Sequence, residues 1–240
     1  MVKKLLKIIY FFICKIFEIL FPLNCIVCGK LQPWNEKCIC RQCWESYVND
    51  PEIVNFQKRL SLPVIQKKLR KFPETDFVRV FCLGPYDFPL NDLVKNFKYN
   101  GFKNLAEIFA EQLYQLIKNQ IPQCKILYVP MIPKQQRDRG YNQTFLIARN
   151  LASALSMDLV NRGIKFKYKH KPQVDCSYSQ RINQMKNTMA LSGDWEQITG
   201  KNVLVVDDVF TTGATLSEAY RVVKSGGANQ IYAAVVAVTV

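Results

Sequence analysis

The sequence predicts an α/β protein, a parallel sheet flanked by helices on both sides, preceded by a small cysteine-rich module. Three observations carry this. Short runs rich in Val, Ile and Leu recur through the last two thirds of the chain and alternate with segments of helical periodicity. Residues 203–206, Val-Leu-Val-Val, are apolar without a break, as in a strand buried on both faces. Four of the nine cysteines fall as two Cys-x-x-Cys pairs near the N-terminus.

Taken in order, residues 1–24 read as an amphipathic helix, with Lys3, Lys4, Lys7, Lys15 and Glu18 set among apolar residues. Its longest uncharged run, 8–14, falls short of the about 20 residues a membrane span requires. No small-residue cleavage site precedes Cys25, so a secretory signal is not expected. The helix either docks on the protein or lies in a membrane surface as a peripheral contact. The expected location is cytoplasmic.

Residues 25–50 form the module. Cys25 and Cys28, then Cys40 and Cys43 after a gap of eleven residues, would each make a tight knuckle, and together supply four thiolates to one tetrahedral Zn²⁺. Gly29 suits the first knuckle, where the turn needs positive φ. Disulfides are the alternative, disfavoured by the reducing cytosol. Cys38 would break the spacing, while Cys14, Cys82, Cys124 and Cys176 show no pairing pattern. Four thiolates leave no open position, so the metal would be structural and supply most of the module's folding energy. Lys30, Lys37 and Arg41 would give it a basic rim suited to nucleic acid.

Residues 51–75 read as a basic, Pro-punctuated connector with short helical patches, and 76–240 as the main domain. There the pattern gives strands over 78–83, 126–129, 203–206 and 231–238, with helices near 90–97 and over 105–118, 144–155 and 216–224. The net charge is +14, and residues 1–75 hold half of it, thirteen basic against six acidic side chains. Such density favours polyanions, although lysine-rich surfaces also serve solubility alone.

The chemistry concentrates at 203–216. Ligands bind at the carboxyl ends of strands in open α/β sheets, and there stand Asp207 and Asp208, then Thr211, Thr212, Gly213, Ala214 and Thr215 leading into a helix. A phosphate would sit on that helix N-terminus, held by free N–H groups and threonine hydroxyls. The carboxylates would repel a phosphate, so they should face hydroxyls or a metal. A ribose phosphate with bound Mg²⁺ supplies both. The plainer alternative is a strand-loop-helix with one capping threonine.

Residues 206–215 resemble the 5-phosphoribosyl-1-pyrophosphate (PRPP) motif of type I phosphoribosyltransferases. The resemblance implies that Asp207 and Asp208, following Val206, contact the ribose 2′ and 3′ hydroxyls, and that Thr211 to Thr215 hold the 5-phosphate. It narrows to the ComF family of competence proteins on further segments: the two cysteine pairs, Phe97-Lys98-Tyr99-Asn100-Gly101, Val129-Pro130-Met131-Ile132-Pro133, and Arg137-Asp138-Arg139-Gly140-Tyr141-Asn142-Gln143. It thus implies a type I phosphoribosyltransferase-like sheet with a zinc-ribbon-like module.

By the same resemblance, the turn through Pro133 and Lys134 places backbone N–H groups at pyrophosphate. Arg137 and Arg139 just beyond could clamp phosphates; a solvated loop is the alternative, and Asn142 is a helix cap. Residues 165–173 alternate cations with rings, which suits single-stranded nucleic acid. In the enzymes it resembles, this stretch is the loop that closes over PRPP, so Lys169, Lys171 and Gln173 could reach pyrophosphate. An edge hairpin with a charged face, His170 included, is the bland reading. The family's Arg-x-x-Asn pattern and nearby Phe are met by Arg181 but not by Gln184 and Met189.

Two functions follow. As an enzyme, the protein would transfer the phosphoribosyl group of Mg²⁺-bound PRPP to a nucleophile with inversion, Asp207 and Asp208 orienting ribose while Arg137, Arg139 and Lys171 neutralise pyrophosphate. No residue presents itself as the reader of an acceptor base. As a binding module, the pocket would hold PRPP while the basic surface carries single-stranded DNA. The ComF resemblance implies the second role, in DNA uptake during natural transformation beside a helicase-like ATPase. The chain lacks a Gly-x-x-x-x-Gly-Lys-Ser/Thr loop and so is not expected to be that motor.

Overall fold

The computed structural model describes residues 23–32, 38–167 and 185–240. Nearly all of the expected N-terminal helix, together with Lys169, His170, Lys171, Gln173, Arg181 and Gln184, lies outside the described residues. The first elements are short: β1 (Leu23–Asn24) and β2 (Leu31–Gln32) pair antiparallel around the first cysteine pair, with Gly29 at φ 71°. Helix α1 (Arg41–Val48) carries Cys43 and is capped by the Cys40 sulfur, which accepts from the Cys43 N–H. Asp50 caps α2 (Pro51–Asn55), its carboxylate accepting from Glu52 N–H at 2.7 Å.

The chain then winds through a π-helical turn (Phe56–Leu60) into α3 (Ser61–Leu69). The connector is therefore almost wholly helical over 51–69, more than the expected short patches. Pro51 sits where a helix needs no N–H, and the wide turn falls just before Pro63, whose missing N–H interrupts the hydrogen-bond ladder.

The main domain follows as β3 (Val80–Pro85), α4 (Leu90–Tyr99), α5 (Leu105–Ile117), β4 (Lys125–Tyr128), α6 (Pro133–Arg139) and α7 (Gln143–Leu155). Then come β5 (Ile164–Phe166), β6 (Met189–Leu191), a 3₁₀ turn (Trp195–Ile198), β7 (Val203–Phe210), α8 (Ala214–Ser225) and β8 (Ile231–Val238). Strands β3, β8, β7 and β4 lie in that order as one parallel sheet, while β5 and β6 make a separate antiparallel pair. All eight residues of β8 are buried, as an interior parallel strand covered on both faces requires.

The two-residue period of β7 sorts its side chains between two apolar layers. Leu204 and Val206 pack with Phe97, Phe109, Ile147 and Leu151 from α4, α5 and α7, whereas Val203 and Val205 pack with Leu216, Ala219 and Val223 of α8. Cys25, Cys38, Ile39 and Cys40 join the first layer, so the cysteine segment shares the main core instead of standing on metal alone. Ile65 of α3 joins the second. The β5–β6 pair is fastened to α8 by Glu218, which accepts from Met189 N–H at 3.0 Å and from Arg221 at 2.8 and 2.9 Å. Arg221 outweighs the burial of this carboxyl and holds it below its ordinary range.

Candidate functional site

Strand β7 runs four residues further than expected, so Asp207 and Asp208 belong to it. Its neighbour β4 ends earlier: Tyr128 pairs with Val206, and beyond it Val129 N–H reaches back to Val206 O at 2.9 Å. On the other side β8 stays paired through Phe210 and Val238. The acids thus border a crevice beyond the end of β4, at the carboxyl edge of the sheet.

Strand alternation continues through the pair. Asp208 follows Leu204 and Val206 toward the α4 layer, where Lys98 Nζ meets its Oδ2 at 2.9 Å with both side chains largely shielded. Asp207 is buried, and its Oδ1 accepts from Asp208 N–H at 2.8 Å. Burial pushes the Asp207 carboxyl up to about 8, and the neighbouring charge of Asp208 adds to the rise. For Lys98, burial alone would favour the neutral amine. The carboxylates of Asp208 and Asp207 outweigh it, against Arg139, so the ammonium is held above its ordinary range.

Past the acids, Thr211 is exposed while Thr212, Gly213 and Ala214 are buried. Gly213 stands at φ 86° as the N-cap of α8 without a side-chain cap, and Thr212 Oγ1 accepts from Ala214 N–H at 3.2 Å. Helix geometry leaves first-turn N–H groups without intrahelical acceptors, so the start of α8 can receive an anion. Helix α3 backs the loop: Lys68 Nζ donates to Thr239 Oγ1 at 3.0 Å, and that hydroxyl donates to Thr211 O at 3.2 Å.

Pro133 opens α6 and Lys134 follows it, both exposed. The segment bearing Arg137 and Arg139 is this helix, not a loop. Gly140, at φ 76°, ends it, and Asn142 then caps α7, accepting from Phe145 N–H at 3.2 Å. Arg139 is brought toward the acids, lying over the Tyr99 ring at 5.1 Å and donating to Gln143 Oε1 at 3.2 Å. Arg137 is exposed, away from that contact. A cavity of about 520 Å³ runs along α8 between residues 71–75 and 185–187. It reaches Ala214 but neither acid.

The four paired cysteines form a second site. The sulfurs of Cys25, Cys28, Cys40 and Cys43 lie within 4.8 Å of one another, close to the spacing of about 3.8 Å set by tetrahedral bonds of about 2.3 Å. Cys40 N–H donates to Cys25 Sγ and Cys43 N–H to Cys40 Sγ, each at 3.4 Å. Although burial opposes its ionisation, backbone N–H groups bring the Cys25 thiol down to about 6. The Cys43 thiol is pushed up by burial and by the other sulfurs. One thiolate forms readily and the last resists, as expected where four sulfurs converge without a cation, so the cluster could hold a metal ion. Cys38 is also buried but raised to about 12 by desolvation, and it stands apart from the four. Arg41, exposed on α1, is paired with Glu45 at 2.6 Å.

Sequence reasoning assigned no role to Lys98, Tyr99 or Lys68. Lys98 and Tyr99 stood in a segment already noted for its resemblance, but their contacts join residues far apart in sequence.

The fold and crevice define a domain of the phosphoribosyltransferase type. A family model described as "Phosphoribosyl transferase domain" matches residues 144–238. Competence protein F of Haemophilus influenzae is 29% identical over 171 residues, 68% of this chain and 73% of that one. Competence protein ComFC of Bacillus subtilis is 24% identical, covering 82% and 70%. The chain is thus similar to competence proteins of the ComF kind over most of its length. Adenine phosphoribosyltransferase from Saccharomyces cerevisiae overlays with a TM-score of 0.37 at 19% identity, covering 61% of this chain and 74% of that one.

Proposed function

We propose that the protein binds PRPP at the carboxyl edge of β7 and serves DNA uptake, handling single-stranded DNA beside a helicase-like ATPase. One observation carries the reading: the acids Asp207 and Asp208, one turned to each face of the sheet, stand a short loop before a glycine-capped helix N-terminus. Hydroxyls of a ribose suit the acids, and the 5-phosphate suits Thr211 to Thr215, since neither group meets a like charge there. Pro133, Lys134 and Arg139 lie toward the pyrophosphate, with Arg137 further out; Lys171 and Arg181 would complete this side. Mg²⁺ bound to PRPP would neutralise pyrophosphate oxygens. Zn²⁺ suits the four cysteines and leaves no open position, hence a structural role.

The competence relatives favour DNA handling over turnover, and no acceptor-reading side chain emerges among the described residues. The test is calorimetric titration with PRPP and Mg²⁺, then with an oligonucleotide, beside a pyrophosphate-release assay over candidate bases. PRPP binding with salt-sensitive DNA binding and no release supports the proposal. Release with one base would make the protein a phosphoribosyltransferase. Unchanged PRPP affinity in Asp207→Ala/Asp208→Ala would remove the site assignment.

A further inference from the structure

We propose that Lys98 is the resident cation of the acid pair, a ligand-binding residue that lets the site take the ribose-phosphate half of its ligand without a divalent metal. The inference rests on the reading of the crevice as a site for a phosphorylated ribose.

The contact is built, not incidental. Lys98 Nζ lies 2.9 Å from Asp208 Oδ2, with side-chain exposures of 19% and 17%. A surface ion pair with freely moving partners contributes little, but here the backbone of Lys98 is fixed from beneath. Phe97 is fully buried and packs edge-on against Phe109 and obliquely against Tyr141. The Tyr141 hydroxyl donates to the Phe97 carbonyl, and the Gln143 amide reaches the Lys98 carbonyl at 3.5 Å. Lys98 also lies in the last turn of α4, where the helix dipole favours a cation.

The groups facing this point are Asp207, which keeps its proton up to about pH 8, the ion pair of Asp208 with Lys98, and Arg139. A divalent ion seated directly on Asp208 would displace the ammonium from its partner into a largely shielded space, next to Arg139. Ribose hydroxyls require no such displacement. They can donate to the Asp208 carboxylate while accepting from Lys98 Nζ, whose remaining protons are available. The lysine therefore supplies, as part of the chain, the positive charge that balances Asp208 under the sugar. Metal would be needed only where the pyrophosphate concentrates negative charge.

Ribose 5-phosphate isolates this half of the ligand, since it carries no pyrophosphate. Its affinity is to be measured by calorimetry in magnesium-free buffer, without chelator so that the cysteine site keeps its metal, and again with Mg²⁺. The wild type should bind equally within about twofold in both, since the pair needs no added cation. Lys98→Met should bind at least about tenfold more weakly without Mg²⁺, the loss of one charge-assisted contact, and recover in part with it. Lys98→Arg, which keeps the cation, should stay metal-independent, and melting curves confirm that both variants fold. A wild type that needs Mg²⁺ for ribose 5-phosphate, or a Lys98→Met that matches wild type, overturns the inference while leaving PRPP binding standing. Absence of both ribose 5-phosphate and PRPP binding with Mg²⁺ overturns the pocket itself, and this inference with it.

Discussion

The Tyr47 hydroxyl lies against Gly84, so close that a side chain at residue 84 would collide with it. This contact joins the helix that carries Cys43 to the first strand of the parallel sheet, and the hydroxyl is buried without a hydrogen-bond partner among the described residues. Gly84→Ala should destabilise the fold by about 1–3 kcal/mol through overpacking. Tyr47→Phe, which removes an unsatisfied polar atom, should be neutral or stabilising. The double variant should recover most of the loss, because the collision is gone. Urea midpoints of the three variants check this, and strictly additive effects would count against a shared contact.

Asp207 makes stability fall with rising pH. Its folded value of about 8 lies above the ordinary 3.8, so the folded state keeps a proton that the unfolded chain has already released. The stability from this group is fully present below the ordinary value and lost as pH rises through about 8. Asp207→Asn has no such proton to lose. Between pH 6 and 9 the wild type should therefore lose about 1–3 kcal/mol more than the variant. Denaturation at several pH values reads this, and parallel pH profiles would sink it.

Metal content should separate the five cysteines of the module. Cys28→Ser should lose the metal, since an exposed member of the four-sulfur cluster is replaced by a poor ligand. Cys38→Ala should keep it while melting lower, because Cys38 is a buried core residue outside the cluster. Stripping the wild type with a chelator should lower its melting temperature without full unfolding, as the segment also shares the main apolar layer. Elemental analysis alongside thermal melts distinguishes these outcomes. Metal loss in Cys38→Ala would redraw the ligand set.

Gly213 is required twice over. At φ 86° an L side chain is strained by about 1–2 kcal/mol, and a Cβ there would come within 3.0 Å of the Phe210 ring. Gly213→Ala should shift the start of α8 and weaken phosphate-ligand affinity by about tenfold or more, the equivalent of one good charge-assisted hydrogen bond. Titration with PRPP measures it, and wild-type affinity in a folded variant would exclude the loop from the site.

The alternation of strands and helices was legible because each sheet strand is an apolar run long enough to stand out, and residues 231–238 fell on β8 without adjustment. Polar positions were harder. The apolar run of β7 ends at Val206, but pairing with β8 carries the strand to Phe210. Helix α6 has no buried residue and hence no apolar period to reveal it. The acids and the glycine-threonine turn could be read as a local cluster. Lys98 could not be placed beside them, since its ion pair depends on strand alternation turning Asp208 toward α4. Cys25, Cys28, Cys40 and Cys43 were legible from spacing, whereas their packing into the main core was not.

The hydrogen-bond chain from Lys68 through Thr239 to Thr211 ties an early helix, the last strand's end and the glycine-threonine loop into one seam. The recognisable sequence unit, 144–238, contains neither Lys68 nor Thr239, and it also leaves out β3 and β4. A fragment cut to that unit would keep every residue of the glycine-threonine loop yet expose two strand edges and strip the loop's backing. The smallest piece expected to keep the loop in place is therefore larger than the smallest piece that can be recognised.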